Sequence, residues 1–219
     1  MMAYGAYLST DDGVEFFTTE TTSIALDQKL TASGSGQFIT VNATVKTEDI
    51  ILPFCVTTGG PAFFEYSITG NNVTISARQT VGLYNNIDLE VYLFTTKAQI
   101  PPSWGMAIWD ANGKCVLTNE TKILTDIRQI GVPGGSANNG ANINYTLPGK
   151  YAIVPQAAGY RVAVSSSGTL QTPIGMCCYF DGVNSIISAR FGELPPGSWT
   201  PSGVDFHTTT TAINTASYD

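Results

Sequence analysis

The sequence predicts an all-β protein made of two tandem, internally duplicated β-sandwich-like domains. Three observations predict it. β-branched and aromatic residues alternate with small polar ones, Gly, Pro and Asn punctuate the runs, and segments of the first half recur in the second. Helical periodicity is weak throughout. Its best stretch, Lys122 to Gln129, carries Thr and Ile and suits a strand equally well.

In chain order, Tyr7-Leu8 and Val14 to Phe17 flank Asp12-Gly13, a dipeptide that favours positive φ and closes hairpins. Gln37 to Val45 alternates over its whole length, as a strand with one covered face does. Asn72 to Arg78 alternates in the same way. Ile87 to Phe94 and Tyr160 to Val164 are further strands. Ala107 to Trp109 and Cys115 to Leu117 flank Asn112-Gly113, which predicts a hairpin with a two-residue turn.

The self-similarity is specific. YGAYLSTDDGVEFFTTET from Tyr4 aligns with WGMAIWDANGKCVLTNET from Trp104 at an offset of 100. Five identities in eighteen exceed the roughly one that ordinary composition provides. GNNVTISAR from Gly70 aligns with GVNSIISAR from Gly182 at an offset of 112, and Ile87 to Leu89 aligns with Val204 to Phe206 at 117. Two turn-rich loops, 131–142 and 194–203, account for these gains in length. The expected domains are 1–98 and 103–219, divided near Pro101-Pro102, which breaks strand pairing. What both copies share is scaffold, so Arg78 and Arg190 read as structural, each pairing with a carboxylate. The loops peculiar to the second copy are where a differentiated contact belongs.

Composition excludes several functions. Lys+Arg 10 against Asp+Glu 17 gives a net charge of −7. Without a basic cluster to release counterions, nucleic acid is not an expected partner, and anionic membrane is not an expected surface. No apolar run approaches the ~18 residues that suggest a membrane span. The N-terminal stretch has no basic residue ahead of an apolar core, so no secretory signal is expected. Cys55, Cys115, Cys177 and Cys178 then read as reduced, buried thiols. Cys177 and Cys178 are adjacent, and on a strand they face opposite ways, which is poor geometry for one metal.

Catalysis is not expected, nor is a cofactor or a metal. The only histidine, His207, lies in a polar stretch, and one His cannot build a multi-His zinc site. Asp110-Ala111-Asn112-Gly113 lacks the later ligands and the closing Glu of a calcium loop. Phosphate-cradling glycine loops and the nucleophile elbow do not occur. The carboxylate groups Asp11-Asp12-Glu15, Glu48-Asp49 and Asp88/Glu90 read as solvated turn and strand residues rather than a glycosidase pair. Trp104 and Trp109 are expected to pack against the sheets. Trp199 stands apart in Pro-Pro-Gly-Ser-Trp-Thr-Pro-Ser-Gly. It reads either as a plug that folds back on its domain or as an aromatic anchor for a partner subunit or a sugar ring.

The opening Tyr-Gly-Ala-Tyr-Leu-Ser-Thr-Asp-Asp-Gly-Val-Glu-Phe and its echo Trp-Gly-Met-Ala-Ile-Trp-Asp-Ala-Asn-Gly-Lys-Cys-Val resemble the first hairpin of minor tail and tail-tip proteins of tailed bacteriophages. The resemblance covers about eighteen residues in each half and transfers no catalytic residue. It implies a non-enzymatic structural component of a phage virion, in the distal tail (tail tip or fibre), synthesised in the host bacterial cytoplasm. Its expected partners are other tail proteins and further copies of itself, with a host surface receptor or glycan as an additional contact. The alternative is a carbohydrate-binding or adhesin module that uses Trp199 to recognise host surface glycans.

Overall fold

The computed structural model describes residues 8–9, 15–17, 23–46, 48–134, 138–165, 168–192 and 200–219. The protein is all-β. The first half carries β1 (Leu8–Ser9), β2 (Glu15–Phe17), β3 (Ala25–Gly34), β4 (Phe38–Thr44), β5 (Ile51–Thr58), β6 (Phe63–Thr69), β7 (Asn72–Arg78) and β8 (Ile87–Thr95). The second carries β9 (Ala107–Trp109), β10 (Cys115–Thr118), β11 (Arg128–Ile130), β12 (Asn144–Pro148), β13 (Tyr151–Ile153), β14 (Ala157–Ser165), β15 (Gly168–Phe180), β16 (Asn184–Phe191), β17 (Thr200–Asp205) and β18 (Thr210–Asn214). Among the described residues the helical segments are two 3-10 turns, Gly140–Asn142 and Thr215–Ser217. Lys122 to Gln129 is neither helix nor continuous strand. Ile123 makes an isolated bridge, and strand begins only at Arg128.

Two antiparallel paths run through the strands. One follows β3, β8, β5, β13, β18 and β11. The other follows β4, β7, β6, β15, β16 and β12. A parallel bridge from Tyr179 to Thr57 ties them together. β4 and β7 bury alternate residues: Ile39, Val41 and Ala43 on one, Val73, Ile75 and Ala77 on the other. These join Phe54, Leu89, Ile153, Met176 and Ile213 in one apolar cluster, so the paths stack face to face as a sandwich. β5 and the end of β8 are buried on both faces, and their sequences lose alternation accordingly. Tyr218 packs on the end of β8, its ring 4.9 Å from that of Phe94 and edge-on to it.

The pairing scheme of residues 25–95 recurs over residues 128–214. β3–β8–β5 and β4–β7–β6 have the connectivity of β11–β18–β13 and β12–β16–β15. The free-standing hairpins repeat as well. Leu8 lies opposite Phe17 and Ser9 opposite Glu15, while Ile108 lies opposite Leu117 and Trp109 opposite Cys115. That is one register at an offset of 100. Equivalent segments also pair with each other. Cys55 on β5 meets Ile153 on β13, and Phe63 on β6 meets Cys177 on β15. Beyond the hairpins, Leu26 N donates to Lys122 O and Leu124 N to Ile24 O. Antiparallel pairing of equivalent strands is what a local two-fold axis produces.

Three expectations are refined. The boundary near 98–103 does not divide two cores, because strands from both sides share both paths and one cluster. Pairing across it covers edges that two small sheets would expose. The loop 131–142 does not carry the whole gain in length. Asn72 pairs with Thr44 and Asn184 with Pro148, so β12 follows β4 by 104 residues while β16 follows β7 by 112. The remaining eight residues enter before Asn184, where β14 and the first part of β15 form a hairpin absent from the first half. The Asn112-Gly113 hairpin forms, but with a longer turn. Gly113 N donates to Asp110 O, Asp110 N donates to Lys114 O, and Gly113 takes φ +79°.

Candidate functional site

Trp199 lies outside the described residues, as does the rest of its loop from 193 to 198; so do Asp11 and Asp12. The other chain that the second half adds is described except for residues 135–137 and 166–167, and its described parts gather at one corner. β14 pairs with β15 on one side, from Ala157 with Gly175 to Ser165 with Gly168. On its other side it pairs with β17, from Gly159 with Asp205 to Val164 with Thr200. The end of the 131–142 loop is drawn to the same place by Asp205. Asp205 Oδ1 accepts from Ala141 N at 3.0 Å and from His207 N at 2.8 Å, and Oδ2 accepts from Asn142 Nδ2 at 2.9 Å. Gly140 N donates to Thr208 O at 2.7 Å.

A cavity of about 450 Å³ opens at this corner, lined by Arg161, Asn142 and Asp205 with Ile174, Ala189 and Phe191. Register explains the opening. Arg161 stands opposite Gly203, and Asp205 stands opposite Gly159. The two charged side chains therefore project from the same face of the β14–β17 pair, and each faces a position without a side chain. No ion pair joins them. The guanidinium of Arg161 lies 4.4 Å from the centroid of the Phe191 ring and has no hydrogen-bond or ion-pair partner among the described residues. The cavity offers N–H donors without a partner among the described residues, a carboxylate with lone pairs to spare, and an apolar lining. Such a set suits binding. Arg161 was not singled out in the sequence. The available signal was a lone charge in the otherwise uncharged run Tyr160 to Val164.

Other residues weighed in the sequence take structural places. His207 Nδ1 lies 3.7 Å from Asp205 Oδ2 and 3.5 Å from Asn139 Oδ1, with its ring half exposed. All four cysteines are buried and free. Burial pushes the thiols of Cys55 and Cys178 well up and that of Cys177 to about 11, so at neutral pH they are poor nucleophiles. Asp88 accepts from Ser33 and Thr58, and Glu90 pairs with Lys29 and Lys150. Arg78 pairs with Glu65 at 3.3 Å, as expected of a scaffold residue. Arg190 is exposed on β16 and lines a shallow pocket with Leu83 and Tyr84. Among the described residues no three His, Cys, Asp or Glu side chains cluster as metal ligands, and no helix is long and apolar enough to cross a membrane.

Trp104 and Trp109 do not pack against the sheets. Trp104 is 85% exposed, and Met106 and Trp109 are each more than half exposed. The β9–β10 hairpin forms its own two-stranded sheet, with a small cluster of Val116, Leu117, Ile108 and Ile123, and is tied to the preceding segment by hydrogen bonds from Gln99 N to Cys115 O and from Lys114 Nζ to Thr96 O. Its aromatic face is left in solvent. Comparison with family models, with curated proteins and with solved structures finds no match.

Proposed function

We propose that this chain is a non-enzymatic structural component of a bacteriophage virion, placed in the distal tail and acting in assembly, with host contact through the added loops of its second half. The observation that carries this proposal is the hairpin pair. The resemblance to tail-tip proteins rests on that motif, and its two occurrences share one register at an offset of 100. In the second hairpin Trp104, Met106 and Trp109 face solvent on an element with little core of its own, as suits an assembly contact. The repeated pairing scheme supports descent of both halves from one β unit. Other tail proteins and further copies of the chain are the proposed partners, and the virion is the proposed location after synthesis in the bacterial cytoplasm. Negative-stain microscopy of virions labelled with antibody to this chain tests the proposal. Label at the distal tail is expected, and particles without label anywhere overturn it.

A second reading, a carbohydrate-binding or adhesin module, is favoured by the cavity that the added elements build. Glycan-array binding that weakens on Trp199→Ala supports a role for that loop. No binding to any surface polysaccharide counts against the module.

A further inference from the structure

We infer that the cavity between β14, β17 and the end of the 131–142 loop binds a neutral saccharide unit. This deepens the carbohydrate reading, and it stands on residues other than Trp199.

The site is built by additions. β14, the first part of β15 and β17 have no counterparts in the first half, where only residues 59–62 separate β5 from β6 and only 79–86 separate β7 from β8. The sequence match of Ile87 to Leu89 with Val204 to Phe206 is therefore not a structural equivalence, because β8 answers to β18. The repeated pairing scheme is complete without these additions, although Ala158 and Ile174 also join the main core. The added strands nonetheless hold Arg161 and Asp205 side by side on one face, and Gly203 and Gly159 opposite them leave room. Asp205 is fixed by three donors, so its remaining lone pairs point from a rigid position. Arg161 is held by its stack on Phe191, with its donors unused among the described residues.

The opposite charges select the ligand class. A phosphate or a uronate attracted to Arg161 would also face the carboxylate of Asp205. A lone ammonium attracted to Asp205 would face the guanidinium. A polyol carries donors and acceptors on every carbon, so it satisfies both groups without burying a new charge. Ile174 and Ala189 supply the apolar surface on which the C–H face of a pyranose rests. At about 450 Å³ the cavity accepts one ring and part of a second.

The full chain is titrated with glucose, galactose and N-acetylglucosamine by saturation-transfer NMR, with glucuronate and inorganic phosphate as charged probes. At least one neutral sugar is expected to bind. Arg161→Gln is expected to weaken it by about tenfold or more, because hydrogen bonds to a charged group are lost. Ala189→Leu, which fills the cavity and leaves every polar group in place, is expected to abolish it. Circular dichroism of both variants reports retention of the fold; should Ala189→Leu not fold, Arg161→Gln decides. Failure of every neutral sugar to bind overturns the inference, as does tighter binding of phosphate or glucuronate, or unchanged affinity in folded variants. If the wild-type chain and both variants bind a glycan array equally, the carbohydrate reading stands and this site falls. If none binds, both fall.

Discussion

Gly140 and Asp205 show how one residue positions a loop. Gly140 takes φ +47°, and a Cβ there would sit 1.7 Å from Asp205 Oδ1, so the loop closes on the carboxylate only with glycine at this position. Gly140→Ala is expected to lower stability by about 1–3 kcal/mol. In an Asp205→Ala background the cost is expected to shrink, because the clash is gone and the backbone strain alone remains. Urea denaturation of the four proteins in this cycle measures the coupling; strict additivity would count against a clash between the two. Asp219 sets a pH dependence. Partial burial pushes its carboxyl pKa up, but hydrogen bonds from Lys29 and Tyr92 and the charges of Lys150 and Lys29 outweigh this and hold it at about 2. A pKa depressed in the folded state contributes stability above the ordinary carboxylate value of about 3.9, and that contribution is lost as pH falls through about 2. Stability is therefore expected to drop between about pH 4 and 2. The Asp219→Asn variant is expected to show a flatter acid limb in urea midpoints, and an unchanged limb would deny Asp219 the role.

At the scale of elements, the β9–β10 hairpin is the clearest departure from a compact design. Gly105 allows its tight entry. It takes φ +126°, and a Cβ there would overlap Asn119 Oδ1, the oxygen that accepts from Met106 N. That geometry gives a reason for glycine after the aromatic in this motif. Trp104 is so exposed that Trp104→Ala is expected to change stability by less than about 0.5 kcal/mol. Incorporation of the variant into virions is expected to fall severalfold, measured by immunoblot of purified particles. Normal incorporation would remove this hairpin from the assembly surface. The β14–β15–β17 extension is the second departure. Its strands were legible only in part. Tyr160 to Val164 reads as strand, but the partnership of β14 with β17 spans about forty residues of sequence and leaves no local pattern.

The whole molecule is a sandwich in which two similar halves pair through equivalent strands. β5 meets β13 and β6 meets β15 at the centre, so neither half keeps a complete core without the other. Differential scanning calorimetry is expected to give one unfolding transition for the intact chain. Fragments 1–98 and 103–219, produced separately, are expected to be unfolded or associated. Two resolved transitions, or a folded monomeric fragment, would show that the halves are independent after all.

The sequence alone determined the class, the strands with one covered face and the recurrence of a unit. Asn72 to Arg78 was legible residue for residue because burying one face of a strand writes a period of two into the chain. Ile51 to Val56 does not alternate, because β5 is buried on both faces beside β8, whose Phe94 is packed by Tyr218 from the far end of the sequence. The hairpins were legible because turn chemistry is local, but the exposure of Trp104 was not, because an apolar side chain reads the same whether or not something covers it. The 131–142 and 194–203 segments stood out as additions. Only the tertiary structure decided that the first ends on Asp205 and that Arg161 shares its cavity. Those contacts join residues far apart along the chain, and periodicity records which way a side chain points, never what it meets there.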